Sequence, residues 1–229
     1  MKLIFIPGSG RGKQAWIYQT RYFKDSEAVA LPGHPEGKPC SSVDEYADWL
    51  HDYIRKKGYK DVVLVGHSLG GAVAQSYTLK YGNELKALVL MGTGARLRVS
   101  PAILQTLKDM IGHEAAWRKY VEDEVATLEP EVGKLLVEER VRIGPAVALN
   151  DFLCCDKFDV MDRVQNIKLP TLVLCGSQDE MTPTKFSKFL ADKIAGAKLV
   201  IIEGAPHGVP RDKPKEVNQA IENFLAGVK

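Results

Sequence analysis

The segment Gly66-His67-Ser68-Leu69-Gly70 holds a serine between two glycines at G-x-S-x-G spacing. The pattern alone is weak, because glycine and serine are common residues. Its context strengthens it. The apolar run Val62-Val63-Leu64-Val65 precedes it and an apolar helical segment follows. A sharp strand-to-helix turn of this kind exposes the serine hydroxyl at its tip. A hydroxyl becomes a nucleophile when a base takes its proton. His67 and His207 are the two histidines whose context suits that role. Adjacent side chains in such a turn point apart, so His67 reads as packed beside the site and His207, in Gly204-Ala205-Pro206-His207-Gly208, as the base.

The base needs an acid to hold its tautomer and stabilise its cation. Asp179 in Gly176-Ser177-Gln178-Asp179-Glu180 is the candidate, with a helix-capping aspartate as the plainer reading. Glu180 is its nearest competitor; Asp156, Asp159 and Asp162 are more distant ones. Acyl transfer through a tetrahedral intermediate also needs N–H donors for the oxyanion. The backbone N–H of Leu69, at the helix start, is one. The loop Pro7-Gly8-Ser9-Gly10 supplies the other, assigned to Ser9. The run Gly8 to Lys13 lacks the spacing of a phosphate-binding loop.

Strands alternating with helices position these residues. Lys2 to Ile6, Glu27 to Leu31, Asp61 to Val65, Leu85 to Met91, Thr171 to Cys175 and Lys198 to Ile202 read as strands. Ser42 to Lys57 reads as a helix opened by a Ser42–Glu45 capping box and stopped at Gly58. Further helices follow Ser68, follow the cap Thr182-Pro183, and run from Pro214 to Leu225. The alternation predicts an α/β fold: a mostly parallel sheet with helices on both faces. Loops after successive parallel strands share one sheet edge, which gathers Ser68, Asp179 and His207. From Leu97 to Asp159 only helices are legible, about four: one from Ser100-Pro101, a second suggested by Trp117, Tyr120, Val121 and Leu128, and two with starts near Pro130 and Pro145. No Gly/Ser-rich linker flanks them, so the chain reads as one domain, 1–229, with a helical cap over 97–159.

Composition narrows the partners. Thirty-one basic against 29 acidic residues leave a net charge of +2, which argues against nucleic acid or an anionic membrane as the main partner. No apolar stretch is long enough to span a bilayer and no secretory signal is read at the N-terminus. Cys40, Cys154, Cys155 and Cys175 lack metal-ligand spacing and read as free thiols of a cytoplasmic protein. No metal and no cofactor is expected. Association into a homo-oligomer is left open.

With these residues in view, the chain resembles the α/β-hydrolase superfamily over nearly all its length except the cap. The likeness lies in Pro7 to Gly10, Leu31-Pro32-Gly33-His34, Gly66 to Gly71, Gly176 to Asp179 with Thr182-Pro183, and His207. The order Ser68, Asp179, His207 is also that of the family. Two departures stand out: Pro7-Gly8 replaces the usual His-Gly, and Leu31 and Pro35 flank Pro-Gly-His where Asp and Gly are usual. The family's first two strands are missing, which implies a minimal sheet of about six strands, similar to plant methylesterases and hydroxynitrile lyases.

The resemblance implies a serine hydrolase acting on carboxylic esters through an acyl-enzyme. The serine argues against haloalkane dehalogenases and epoxide hydrolases, which place aspartate there. Carbon–carbon hydrolases often carry Asn before the serine and Trp after the histidine, where this chain has His67 and Gly208. A cofactor-free haloperoxidase and a slow-turnover ligand receptor remain as other readings. The substrate is expected to be a small-molecule ester held in an apolar pocket under the cap. Trp16, Met181 and Val209 are candidate contacts. Arg11 reads as a solvated arginine or as a ligand for a substrate carboxylate.

Overall fold

Lys2–Ile6 (β1), Val62–His67 (β3), Leu85–Met91 (β4) and Thr171–Gly176 (β5) are runs rich in aliphatic residues, buried along most of their length. Such runs suit strands covered on both faces. With Ser26–Ala28 (β2) and Lys198–Ile202 (β6) they form one sheet of order β2-β1-β3-β4-β5-β6, all pairs parallel. This is a computed structural model and describes residues 1–228. The expected second strand, Glu27 to Leu31, shrinks to three residues, because only Ser26–Ala28 lie in register with Leu3–Phe5 before the chain turns away toward Pro32-Gly33.

Helices α2 (Val43–Lys57), α3 (Leu69–Tyr81) and α7 (Thr184–Lys193) cover one face. Helix α9 (Pro214–Leu225), with the short α1 (Ile17–Tyr22) and α8 (Val209–Asp212), covers the other. Alternate strand residues feed the two cores: Ile4, Leu64 and Leu88 face the first, Phe5, Val63 and Val89 the second. The helix ends follow local rules in part. Ser42 Oγ accepts from the Glu45 N–H at 3.1 Å, and Gly58 closes α2 at φ 67°. Glu45 reaches back to Ser41 rather than to Ser42, so the capping box is half made. Pro183, not Thr182, takes the cap position of α7, because Thr182 is engaged elsewhere.

Between β4 and β5 the chain forms α4 (Pro101–Met110), α5 (Glu114–Val125) and α6 (Pro130–Lys157). They enclose a small core of their own around Leu107, Trp117, Val121, Val132 and Leu136. Of the apolar face expected on α4 only Leu107 is buried; Ile111 is open to solvent at 45%. Helices predicted from Pro130 and Pro145 are joined into one path kinked at Gly144 (φ 81°, ψ 163°). Glycine tolerates that conformation, and Pro145 needs no N–H partner at the first position of the second half. Among the described residues no helix is long and apolar enough to cross a membrane.

Candidate active site

Ser68 ends β3 and opens α3 at φ 54°, ψ −118°, a positive φ that few non-glycine residues adopt. The two motif glycines make this turn feasible by close approach. A Cβ on Gly66 would collide with the main chain of Gly70, and one on Gly70 with the main chain of Ile6. The hydroxyl is thereby held at the carboxyl edge of the sheet, where β5 and β6 also end.

Asp179 lies just beyond β5 and is 5% exposed. His207 lies in the loop after β6, and its Nδ1 is 2.9 Å from Asp179 Oδ2 and 3.0 Å from Oδ1. A carboxylate accepts, so Nδ1–H donates and Nε2 keeps its lone pair. Thr182 completes the shell: its N–H donates to Oδ1 at 2.7 Å and its hydroxyl to Oδ2 at 2.8 Å. Burial works against the charge on Asp179, but the His207 and Thr182 hydrogen bonds and the nearby imidazole outweigh it, and the carboxyl sits below its ordinary range. Glu180 makes no such contact and turns toward the cavity. Asp156 instead accepts from the Val99 N–H at 2.9 Å, and Asp159 pairs with Arg96.

His67 is buried beside the site. Its Nε2 donates to the His207 carbonyl at 2.9 Å, which ties the β3 turn to the β6 loop. Burial first, and then the charge of His207, holds its titration well below that of a free imidazole, so it stays neutral.

The loop after β1 packs on the Ser68 turn: a Cβ at Gly8 would lie 3.2 Å from Ser68 Cβ. In this loop the Gly10 N–H donates to Asp151 at 2.8 Å and the Arg11 N–H to the Gly8 carbonyl at 3.2 Å. The N–H groups of Ser9 and Leu69 have no partner among the described residues. Two free donors beside a serine held in such a turn are what an oxyanion would require.

A cavity of about 380 Å³ opens over Ser68 and His207. Ile103, Phe152 and Cys155 of the cap form one wall, Met181, Thr182 and Phe186 another, and Arg98 and Glu180 bring the charges. Burial pushes the Cys155 thiol up to about 12, so it is no competing nucleophile near neutrality.

A profile of the alpha/beta hydrolase family matches residues 3–220. The chain belongs to that family. It is a hydrolase. A Mycoplasma pneumoniae protein named as an esterase/lipase is 31% identical over 99% of this chain and 89% of its own length. Human monoacylglycerol lipase ABHD6 is 23% identical, with 99% of this chain and 75% of the lipase covered. A thermophilic esterase of known structure superposes with a TM-score of 0.82 at 36% identity, covering 100% of this chain and 91% of the esterase.

Within this hydrolase three expected contacts need correction. Trp16 and Val209 are fully buried in the core between the sheet and α9, with the Trp16 ring tilted against Phe5 at 4.9 Å, and neither lines the cavity. Both looked like loop residues, but each belongs to a short helical turn packed against the sheet. Met181 does line the cavity. Arg11 is neither solvated nor free for a substrate: it is ion-paired with Glu124 of the cap. Three polar residues that sequence reasoning passed over are Thr182 on Asp179, and the fully buried pair His34–Asp151 with 2.8 Å between Nε2 and Oδ2. A carboxylate and two backbone carbonyls face the two nitrogens of His34; these partners outweigh the burial penalty and raise its titration. The signals in the sequence were His34 within Leu-Pro-Gly-His and Thr182 within Thr182-Pro183, neither of which names a partner.

Proposed function

We propose that this hydrolase cleaves carboxylic esters through an acyl-enzyme on Ser68, with His207 as base and Asp179 as its orienting acid. The observation that carries the reading is the His207 Nδ1–Asp179 contact at 2.9 Å, with Ser68 and His207 lining one cavity. The esterase and lipase names of the relatives agree with it.

In this mechanism Ser68 Oγ attacks the ester carbonyl as its proton passes to His207 Nε2. The carbonyl electrons move onto oxygen, where the Ser9 and Leu69 N–H groups receive them. Collapse expels the alcohol, which takes the proton from Nε2, and leaves an acyl-serine. Water then repeats the sequence, with Nε2 accepting its proton and returning it to Ser68 Oγ. The substrate is a small-molecule ester, with its chain between Ile103 and Phe152 of the cap and Met181 and Phe186 of the body. Four free thiols suit a reducing compartment such as the cytoplasm.

Reaction with a fluorophosphonate probe tests the nucleophile. Wild type is expected to label stoichiometrically and Ser68→Ala not at all, with ester turnover lower by roughly a million-fold. A Ser68→Ala protein that labels and turns over like wild type refutes the assignment.

A further inference from the structure

The segment Gly8-Ser9-Gly10-Arg11-Gly12 carries more glycine than an oxyanion loop alone explains. Gly8 packs on the Ser68 turn; the surroundings of the rest of the segment supply the reason, and they come from the cap. Gly10, at φ 60°, donates its N–H to Asp151 of α6 at 2.8 Å, and a Cβ there would sit 2.6 Å from Ala148 Cβ of the same helix. A Cβ on Gly12 would strike the Glu139 carboxylate, also on α6. Glu139 accepts from the Gln14 N–H at 3.0 Å, and the Gly12 and Lys13 N–H groups face the same carboxylate. Arg11 is paired with Glu124 of α5. Each residue from 10 to 14 thus meets a cap carboxylate through its backbone N–H or its side chain.

The hold is a built one. Asp151 is fully buried, yet its carboxylate accepts from Gly10, from Tyr46 Oη at 2.8 Å and from His34 Nε2 at 2.8 Å. Ala148, Asp151 and Cys155 fall at helical spacing on one stripe, and Cys155 Sγ lies 3.6 Å from Ser9 Oγ. The Gly8–Arg11 turn that presents the Ser9 N–H is fixed on one side by Asp151 and on the other by Glu139.

We propose that Asp151 and Glu139 are positioning residues of the oxyanion site: the cap grips the 10–14 segment through its carboxylates and so aims the Ser9 N–H. The cap then does more than shape the substrate cavity, because the second oxyanion donor is in place only while the cap is seated. This inference rests on the acyl-transfer reading given above. A donor used only in the transition state lowers kcat and leaves KM nearly unchanged when it is misaimed.

Two readouts on the full chain test it: p-nitrophenyl butyrate kinetics and amide hydrogen exchange of the 8–14 segment. In Glu139→Ala, exchange at Gln14 is expected to quicken while the strands keep their protection. Its kcat falls about ten-fold with KM within about two-fold, less than the full loss of an oxyanion donor costs. Glu139→Gln, which keeps one acceptor oxygen at the half-buried site, restores part of the rate. Asp151→Asn, which leaves one good acceptor for three donors, is expected to act in the same sense and carries the test if Glu139→Ala does not fold. The control Glu138→Ala, on the exposed side of α6 and paired with Arg118, changes neither readout. Unchanged exchange, unchanged kcat in folded variants, or a loss confined to KM overturns the proposal. A wild type that neither labels with fluorophosphonate nor hydrolyses an ester refutes the hydrolase mechanism instead, and exchange alone then decides whether the cap holds the loop.

Discussion

Thr182 shows how much a single side chain contributes at the residue scale. Its hydroxyl and N–H both donate to Asp179, and the hydroxyl also lies 3.3 Å from His207 Nδ1. Thr182→Val removes the hydroxyl and keeps shape and N–H, so Asp179 loses one of its hydrogen bonds. We expect kcat/KM to fall about ten-fold, in keeping with a charge-assisted hydrogen bond worth about 1.5–3 kcal/mol. Steady-state kinetics on p-nitrophenyl butyrate check this, and wild-type rates would remove Thr182 from the machinery. Asp179→Asn is far more severe, at about 10⁴-fold in kcat, because the amide can turn a donor toward Nδ1 and reverse the tautomer. His67 carries a different prediction, on stability. Its folded titration lies below that of the unfolded chain, near ~6.5. As pH falls through ~6.5 the unfolded chain takes up a proton that the folded chain refuses, so stability drops by up to about 1.4 kcal/mol per pH unit. His34 has the opposite sign: its folded titration is raised, so its contribution is complete below ~6.5 and is lost as pH rises above it. Thermal melts from pH 7 to pH 5 are expected to fall, and to fall less steeply in His67→Gln, which keeps an N–H for the His207 carbonyl. An unchanged slope in that variant would show that His67 is not the group responsible.

At the scale of elements, the kink in α6 is the feature on which the cap depends. Gly144 at φ 81°, ψ 163° occupies a region open almost only to glycine. The half of α6 beyond it carries Ala148, Asp151, Phe152 and Cys155, which touch the oxyanion loop or line the cavity. Gly144→Ala is expected to destabilise the fold by about 1–3 kcal/mol and to displace that half-helix, with lower kcat as well as lower melting temperature. A variant with the wild-type melting point and rate would show that the kink is not needed. The other joint between cap and body is ionic. Glu124 of α5 accepts from Arg11, from Arg140 of α6, and from Arg211 of α8 at 3.1 Å. Burial opposes its charge, but the three guanidiniums outweigh that and keep the carboxyl well below its usual range. Helix α8 directly follows the His207 loop, so this cluster links the loops after β1 and β6 to the cap.

At the scale of the molecule, six parallel strands bring the loops after β1, β3, β5 and β6 to one edge, and the cap closes over them to leave a cavity of about 380 Å³. Its walls are mostly apolar. An ester leaves as an alkoxide that an imidazolium can protonate directly, whereas a carbon leaving group must be stabilised as a carbanion by polar contacts. The proposed preference is therefore for esters. We expect much higher kcat/KM on p-nitrophenyl acetate or butyrate than on a vinylogous diketone from aromatic degradation. The reverse order would replace the ester reading with carbon–carbon hydrolysis and leave the roles of Ser68, His207 and Asp179 intact.

The features legible in the sequence were those written in local backbone demands. Gly66 and Gly70 announce the tight turn because a side chain at either place meets main chain. β1 and β4 were legible to the residue because a buried parallel strand is a mostly apolar run, here interrupted only near its start by Lys2 or Lys86, between turn residues. The order of strands then put Ser68, Asp179 and His207 on one edge before any distance was known. Tertiary structure alone decided what meets across long separations. Trp16, Val209 and Met181 have the same apolar character in sequence, and only packing sends two to the core and one to the cavity. Asp151 and Glu139 read as ordinary polar positions of a cap helix, 141 residues from Gly10 in one case and 125 from Gln14 in the other. A carboxylate that will be solvated and one that will receive backbone N–H groups are the same residue in sequence. They differ only once the cap has settled on the sheet, where burial without a partner would cost more than the contact yields.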